Sequence, residues 1–425
     1  MKKSKTRIWH IIIGGTIGNV TEWYNFLLYG YLAPIISELF FPSHNVLLSL
    51  TLTFTLFAIG FLARPFGSLL FGWIGDTYGR RRALILSIIL MTIPTFLIGC
   101  LPTYHAIGIA SPLLLCLLRI LQGLSAGGEH TGSAVYIAEF AKPSERTLWI
   151  STVPASAAIG ILLSSLISLI IVSLFSSSNI LIYGWRAAYF IGTLFGMISL
   201  YLRVTLPETP EFEELQHEKK KQRVPLKLLF NNIKTRWHLL QVFILASCYG
   251  VFYQILFIWM PTYLTHINHF SNHEAMQINS LFITLLILMM FTAGYLGDQF
   301  SRRNIIFIAM SGLIIGAIPL FNLLASSSVI NAYSSMTLLT LLFGLFIPSA
   351  FALMVESFDT EVRYTGLSLS FNLGLAIFGG TCPLIATWLI EVTQQKLAPA
   401  YYVMIFAIIS LMITYFYKDE RGKKI

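Results

Sequence analysis

The chain has 425 residues, 56% of them hydrophobic and only 11% charged, a balance that excludes a soluble globular fold of this length and points to a polytopic membrane protein. The formal charge of +9 raises the question of a nucleic-acid partner, and the placement of the basic residues assigns it to a membrane surface instead.

Apolar runs of the roughly 20 residues that a helix needs to cross a bilayer recur twelve times. They lie at about 8–32, 47–72, 83–101, 111–137, 148–174, 185–206, 238–264, 275–297, 304–325, 333–356, 364–390 and 399–417. The start resembles a signal peptide, but the apolar run continues past Glu22 without an Ala-x-Ala cleavage site, so it is expected to be the first span. With twelve spans, every Lys and Arg except Arg64, Arg119, Arg186 and Lys396 falls in the termini, in the even-to-odd loops or, for Arg203, at the loop end of span six. By the positive-inside rule both termini are expected in the cytoplasm. Cys100, Cys116, Cys248 and Cys382 are scattered over four spans without ligand spacing and read as small core side chains. No metal or cofactor is expected.

On a helix, Gly15, Asn19, Glu22, Asn25, Phe26 and Tyr29 of span one share a side, giving a polar stripe. Span two carries Arg64-Pro65. The proline is expected to interrupt the helix, leaving a cation on a pocket wall; the alternative is an arginine that snorkels to the headgroups. Span four places Arg119, Gln122, Glu129, His130 and Ser133 within an arc of roughly 100°. Gly123 and Gly127 flank that stripe at the spacing that lets a second helix come close. Ionisable groups at bilayer depth are costly and read as functional by default; the plainer reading is a structural ion pair.

Between spans two and three runs Gly72-x-x-x-Asp76-x-x-Gly79-Arg80-Arg81-Arg82, read as a polar loop of about ten residues. It recurs between spans eight and nine, 222 residues later, as Gly294-x-x-x-Asp298-x-x-Ser301-Arg302-Arg303. This internal duplication predicts an all-α integral membrane fold of two pseudo-symmetric six-helix halves. The expected division is 1–206, a linker at 207–237, and 238–425. Within the linker, Leu226, Leu229, Phe230, Ile233 and Trp237 repeat at helical spacing among basic residues, which predicts an amphipathic helix on the cytoplasmic surface. The second half has no charge at mid-membrane and offers Tyr249, Tyr253, Gln254, Trp259 and Asn372 instead.

The duplicated loop, with Leu118-Arg119-x-x-Gln122-Gly123-x-x-x-Gly127, resembles the major facilitator superfamily. Glu22-Trp23-Tyr24, Arg64-Pro65-Phe66-Gly67, Gly127-Gly128-Glu129, Gly184-Trp185-Arg186, Leu206-Pro207-Glu208-Thr209-Pro210, Arg363-Tyr364-Thr365-Gly366 and Ala398-Pro399-Ala400-Tyr401-Tyr402 are similar to its metabolite:proton symporter family. The resemblance runs nearly end to end and leans toward the proline/betaine branch. Three positions depart from it. Asn25 stands where the family usually has Asp, His130 where it has an aromatic, and Ala187-Ala188-Tyr189 where it has Ile-Pro-Phe.

The resemblance implies a transporter, not an enzyme, working by alternating access in a plasma membrane, such as a bacterial inner membrane. Its expected partners are a small solute and protons, with the lipid bilayer around it, and it is expected to function as a monomer. Proton coupling needs a carboxylate that loads and releases a proton; Glu22 and Glu129 are the candidates, with His130 a third. Arg119 is expected as their counter-ion and Arg64 as the clamp for a substrate carboxylate. Gln122, Asn25, Tyr253, Asn372 and Arg186 complete the candidate substrate contacts, with Arg119 also among them. Gly72, Asp76, Gly79, Arg80, Arg81, Asp298, Arg302 and Arg303 form the expected gate, with both aspartates capping helix ends or pairing with arginines to latch an outward-open state. Two arginines and two glutamates balance, which suits a zwitterion such as proline or glycine betaine. Protonated glutamates would leave two cations, which suits a di- or tricarboxylate such as 2-oxoglutarate or citrate. An exporter of the same superfamily and a transport-dead sensor are the remaining alternatives.

Overall fold

The computed structural model describes residues 2–44, 46–217, 229–326 and 328–417. Among these residues twelve long helical segments follow one another: α1 (Lys2–Tyr31), α2 (Val46–Tyr78), α3 (Arg80–Cys100), α4 (Ala110–Phe140), α5 (Arg146–Leu174), α6 (Trp185–Val204), α7 (Ile233–Tyr253), α8 (Asn272–Gln299), α9 (Arg302–Leu324), α10 (Val329–Glu356), α11 (Arg363–Gly374) and α12 (Ala398–Tyr415). Among the described residues eleven helical stretches are long and apolar enough to cross a membrane. With the 30-residue α1, about 45 Å long at 1.5 Å per residue, they make the twelve-span fold. α7 is extended by π-helical turns at Gln254–Trp259 and Tyr263–Ile267, and α11 continues through Leu375–Gly379 into the helix Gly380–Thr393.

Several local expectations change. Pro65 lies inside an unbroken α2, and Ser68 Oγ donates to the Pro65 carbonyl at 2.6 Å. The loop expected after span two contracts to Gly79, because the helix runs through Asp76 and turns only where φ reaches +112°, a conformation glycine alone adopts readily. α7 starts at Ile233, where the Asn232 side chain accepts from the Lys234 N–H at 3.0 Å. Ile233 and Trp237 therefore belong to a spanning helix rather than a surface one. Leu226 and the basic stretch 218–228 lie outside the described residues, as does the tail after Tyr417.

The chain divides into two compact units. One comprises Met1–Phe140 with Ser156–Leu226, the other Ala141–Ala155 with Lys227–Ile425. The first turns of α5 group with the second unit because Asp298, Arg302 and Glu356 hold them by hydrogen bonds.

In the first unit α2 and α4 meet at glycines. A Cβ on Gly67 would overlap the Leu124 carbonyl, one on Gly127 the Arg64 carbonyl, and one on Gly123 the Gly60 carbonyl. This is the close approach that small residues permit in lipid, and it fixes Arg64 beside the polar stripe of α4. Tyr24, Tyr29, Phe40, Trp185 and Tyr189 build the core around it. In the second unit Phe343 lies within 6.3 Å, centroid to centroid, of Tyr249, Phe252, Tyr253, Phe257 and Phe346. All four cysteines are free thiols.

Candidate functional site

The polar stripe of α4 points inward along its length: Arg119, Gln122, Glu129, His130 and Ser133 are all buried. So are Asn19, Glu22 and Asn25 of α1 and Arg64 of α2. Burial of this many polar groups demands partners, and how they are shared defines the site.

Glu22 pairs with Arg64. A single hydrogen bond of 3.0 Å joins Arg64 Nη2 to Glu22 Oε1, and the Arg64 guanidinium lies over Trp23, Phe26 and Phe61 at 5.1, 4.5 and 4.7 Å. Glu22 Oε2 and Arg64 Nε have no hydrogen-bond partner. Arg64 stands fourteen residues, about 21 Å, before the end of α2, so it does not snorkel.

Glu129 pairs with Arg203, a residue that reads in sequence as a cytoplasmic-edge cation. Arg203 Nη1 donates to Glu129 Oε2 at 2.7 Å, and Nη2 donates to Oε1. The remaining valences are filled. Arg203 also donates to the carbonyls of Leu84 (2.7 Å), Gly14 and Gly15 (both 3.3 Å). Glu129 also accepts from Ser87 at 2.6 Å and Ser133 at 3.3 Å. One bidentate pair thus ties α1, α3, α4 and α6.

Arg119, expected as counter-ion, makes no ion pair among the described residues. Its guanidinium lies 4.5 Å from the Phe26 ring, 4.5 Å from Tyr29 and 5.6 Å from Phe57. Nη1 donates to Gln122 Oε1 at 3.0 Å, and Gln122 is anchored by donating to Thr95 Oγ1 at 2.9 Å. The pairing is therefore Arg64 with Glu22, and three buried arginines face two glutamates once Arg203 is counted. His130 Nδ1 meets Asn19 Oδ1 at 3.0 Å, and Asn19 Nδ2 donates to Ser156 Oγ at 2.9 Å.

Arg186 sits apart from this group. It is half-buried, stacks on Trp185 at 4.4 Å, and donates to the carbonyls of Gly99 and Leu101 at 2.7 and 3.0 Å, closing the end of α3. In the second unit Tyr253 stacks on Tyr249 with centroids 6.1 Å apart, and Asn372 Nδ2 donates to the Ser368 carbonyl at 2.9 Å.

The two copies of the duplicated motif have diverged. In the first, Gly72 is buried in α2. Arg80 is held by Asp76 (3.5 Å), Glu139 (3.2 Å), the Gly75 carbonyl (2.8 Å) and the face of Phe212. Glu208 accepts from the N–H groups of Arg80 and Arg81 at 3.0 and 3.2 Å, capping α3. Arg81 also donates to the Val204 carbonyl, and Thr209 donates to Glu139 at 2.6 Å. Burial pushes the Glu208 carboxyl above its ordinary range, against the N–H donors and Arg80, which pull it down. In the second copy Asp298 accepts from the N–H groups of Thr147 and Leu148 at 2.8 and 2.9 Å, capping α5. Arg302 and Arg146 both bind Glu356, at 2.5 and 2.8 Å. Arg303 lies over Phe307 and Tyr415. Arg203, Glu139, Arg146 and Glu356 were not singled out in the sequence, and Glu208 stood there only as part of a motif; their partners lie 54 to 210 positions away, beyond the reach of any local pattern.

Twelve spans, an internal duplication and a cluster of buried charged side chains on α1, α2, α4 and α6 of the first unit define a polytopic membrane transporter. The chain belongs to the Major Facilitator Superfamily, whose family model matches residues 20–380. It is 33% identical over 411 residues to the proline/betaine transporter of Escherichia coli K12, covering 94% of this chain and 81% of that one. It is also 33% identical to the glycine betaine/proline/ectoine/pipecolic acid transporter OusA of Dickeya dadantii, covering 98% and 84%. Its fold is similar to that of the proton:xylose symporter XylE from E. coli. In complex with 6-bromo-6-deoxy-D-glucose, that protein superposes with a TM-score of 0.81 at 17% identity over 99% of this chain and 98% of that one.

Proposed function

We propose that this protein takes up a small zwitterionic solute of the proline or glycine betaine kind together with a proton, by alternating access. It would act as a monomer in a plasma membrane, a bacterial inner membrane, with both termini in the cytoplasm, the side to which the basic loops assign them. The likeness to proline/betaine transporters supports the solute class.

The observation that carries the coupling is the contrast between the two buried acids. Glu129 has both oxygens filled, whereas Glu22 holds Arg64 through one hydrogen bond and keeps Oε2 unpartnered. A proton arriving at Glu22 replaces one contact; a proton at Glu129 dismantles a network. Glu22 is therefore the proton carrier, Arg64 its exchange partner, and Glu129 with Arg203 a structural clasp. His130 and Asn19 then hold α4 against α1. The test is uptake of labelled proline or glycine betaine into proteoliposomes with and without an inward proton gradient, for the wild type and Glu22→Gln. Gradient-driven uptake that Glu22→Gln abolishes supports this function. Gradient-driven uptake of a di- or tricarboxylate alone would support the competing symporter.

A further inference from the structure

We propose that Arg119 is the docking point for the substrate's carboxylate and that the site takes solutes carrying one carboxylate. This rests on the transport reading above and names the chemistry by which the solute is selected. A buried cation without a counter-ion is costly in a membrane interior. Among the described buried arginines of the first unit, Arg64 has Glu22, Arg80 has Glu139 and Asp76, and Arg203 has Glu129; Arg119 has no acid.

The shape of what remains open on Arg119 specifies the ligand. Aromatic rings surround the guanidinium, and Gln122, locked by Thr95, takes Nη1. Nε and Nη2 have no partner. These two N–H groups form the side-on edge that meets a carboxylate through two parallel hydrogen bonds.

Two further side chains point the same way. Asn25 is fully buried with both amide atoms unpartnered, and it packs against Gly192, one turn of α6 beyond Tyr189. Tyr189 is also fully buried with its hydroxyl unpartnered, in the core that holds Tyr29, whose ring lies 4.5 Å from the Arg119 guanidinium. The Asn25 amide and the Tyr189 hydroxyl supply donors for the carboxylate lone pairs that Arg119 leaves open. Tyr189 thereby becomes a substrate contact. With Arg64 committed to Glu22, no second arginine among the described buried ones of the first unit lacks an acid, so a di- or tricarboxylate finds one partner too few.

The test is equilibrium binding to the purified full-length protein at one pH, with no gradient, so that coupling plays no part. The probes are proline and glycine betaine, their carboxylate-free counterparts prolinamide and choline, and 2-oxoglutarate. Proline or glycine betaine is expected to bind, with prolinamide and choline weaker by about tenfold or more, the loss of at least one charged hydrogen bond, and 2-oxoglutarate weaker by a similar factor because its second carboxylate is buried without a cation. Arg119→Gln is expected to abolish the preference for a carboxylate. Tyr189→Phe, which removes one hydroxyl and keeps the ring, is expected to weaken carboxylate ligands and leave choline unchanged. Equal binding of choline and betaine, tightest binding of 2-oxoglutarate, undiminished binding by folded Arg119→Gln, or no binding of either monocarboxylate each overturns the proposal. Carboxylate-selective binding without gradient-driven uptake would leave this site standing and remove proton coupling.

Discussion

Arg203 reaches from the last turn of α6 to chelate Glu129 near the middle of α4, and every other polar atom of that pair is filled by Ser87, Ser133 or the carbonyls of Leu84, Gly14 and Gly15. Breaking a buried pair from one side strands the other charge, at a cost of about 3–5 kcal/mol. Arg203→Gln is expected to lower the thermal stability of the purified protein by that order. Glu129→Gln, which leaves Arg203 its three carbonyl partners, is expected to lose less. Equal stability of Arg203→Gln and wild type would remove the clasp.

Asp298 caps α5 through two backbone N–H groups. Asp298→Ala removes both acceptors, with an expected loss of about 0.5–2 kcal/mol in thermal stability, the usual range for deleting a helix N-cap. Asp76 pairs with Arg80, which Glu139 also holds. Asp76→Asn is expected to slow turnover while leaving solute binding intact, read from initial uptake rate against binding affinity. Lost binding would move Asp76 into the solute site.

Gly79 has φ of +112°, and a Cβ there would run into Glu208. Gly79→Ala is therefore expected to cost about 1–3 kcal/mol, measured as thermal stability. The same carboxyl carries a pH signature. Burial raises its proton affinity in the fold above its ordinary value of 4.5, so the folded state gains from protonation. That contribution is complete below 4.5 and is lost as pH rises through the raised value. The melting temperature of wild type relative to Glu208→Gln should thus fall as pH rises; a difference that grows with pH would reverse the assignment.

Much of this was legible in the sequence because it is local. Span length, loop charge and the 222-residue repeat are counted directly, and the stripes on α1 and α4 follow from helical spacing. What escaped was pairing. Arg119 lies on the same stripe as Glu129 and reads as its counter-ion, yet the glycine contacts of α2 and α4 place Arg64 by Glu22 instead. Arg203 reads as an interfacial cation because it ends a span, and only the packing of α6 against α3 and α1 turns it inward. Counting it changes the buried balance from neutral to one positive charge in excess. The helix start at Ile233 was missed because Asn232 is polar at the edge of a polar linker, where a cap and a loop residue look alike.

The account turns on Glu22, and the most direct measurement is proteoliposome transport of labelled proline and glycine betaine by wild type and Glu22→Gln under two conditions: an inward proton gradient, and solute counterflow without one. Gradient-driven accumulation by the wild type, lost in Glu22→Gln while counterflow persists, is the predicted result. Undiminished gradient-driven accumulation by Glu22→Gln would contradict it.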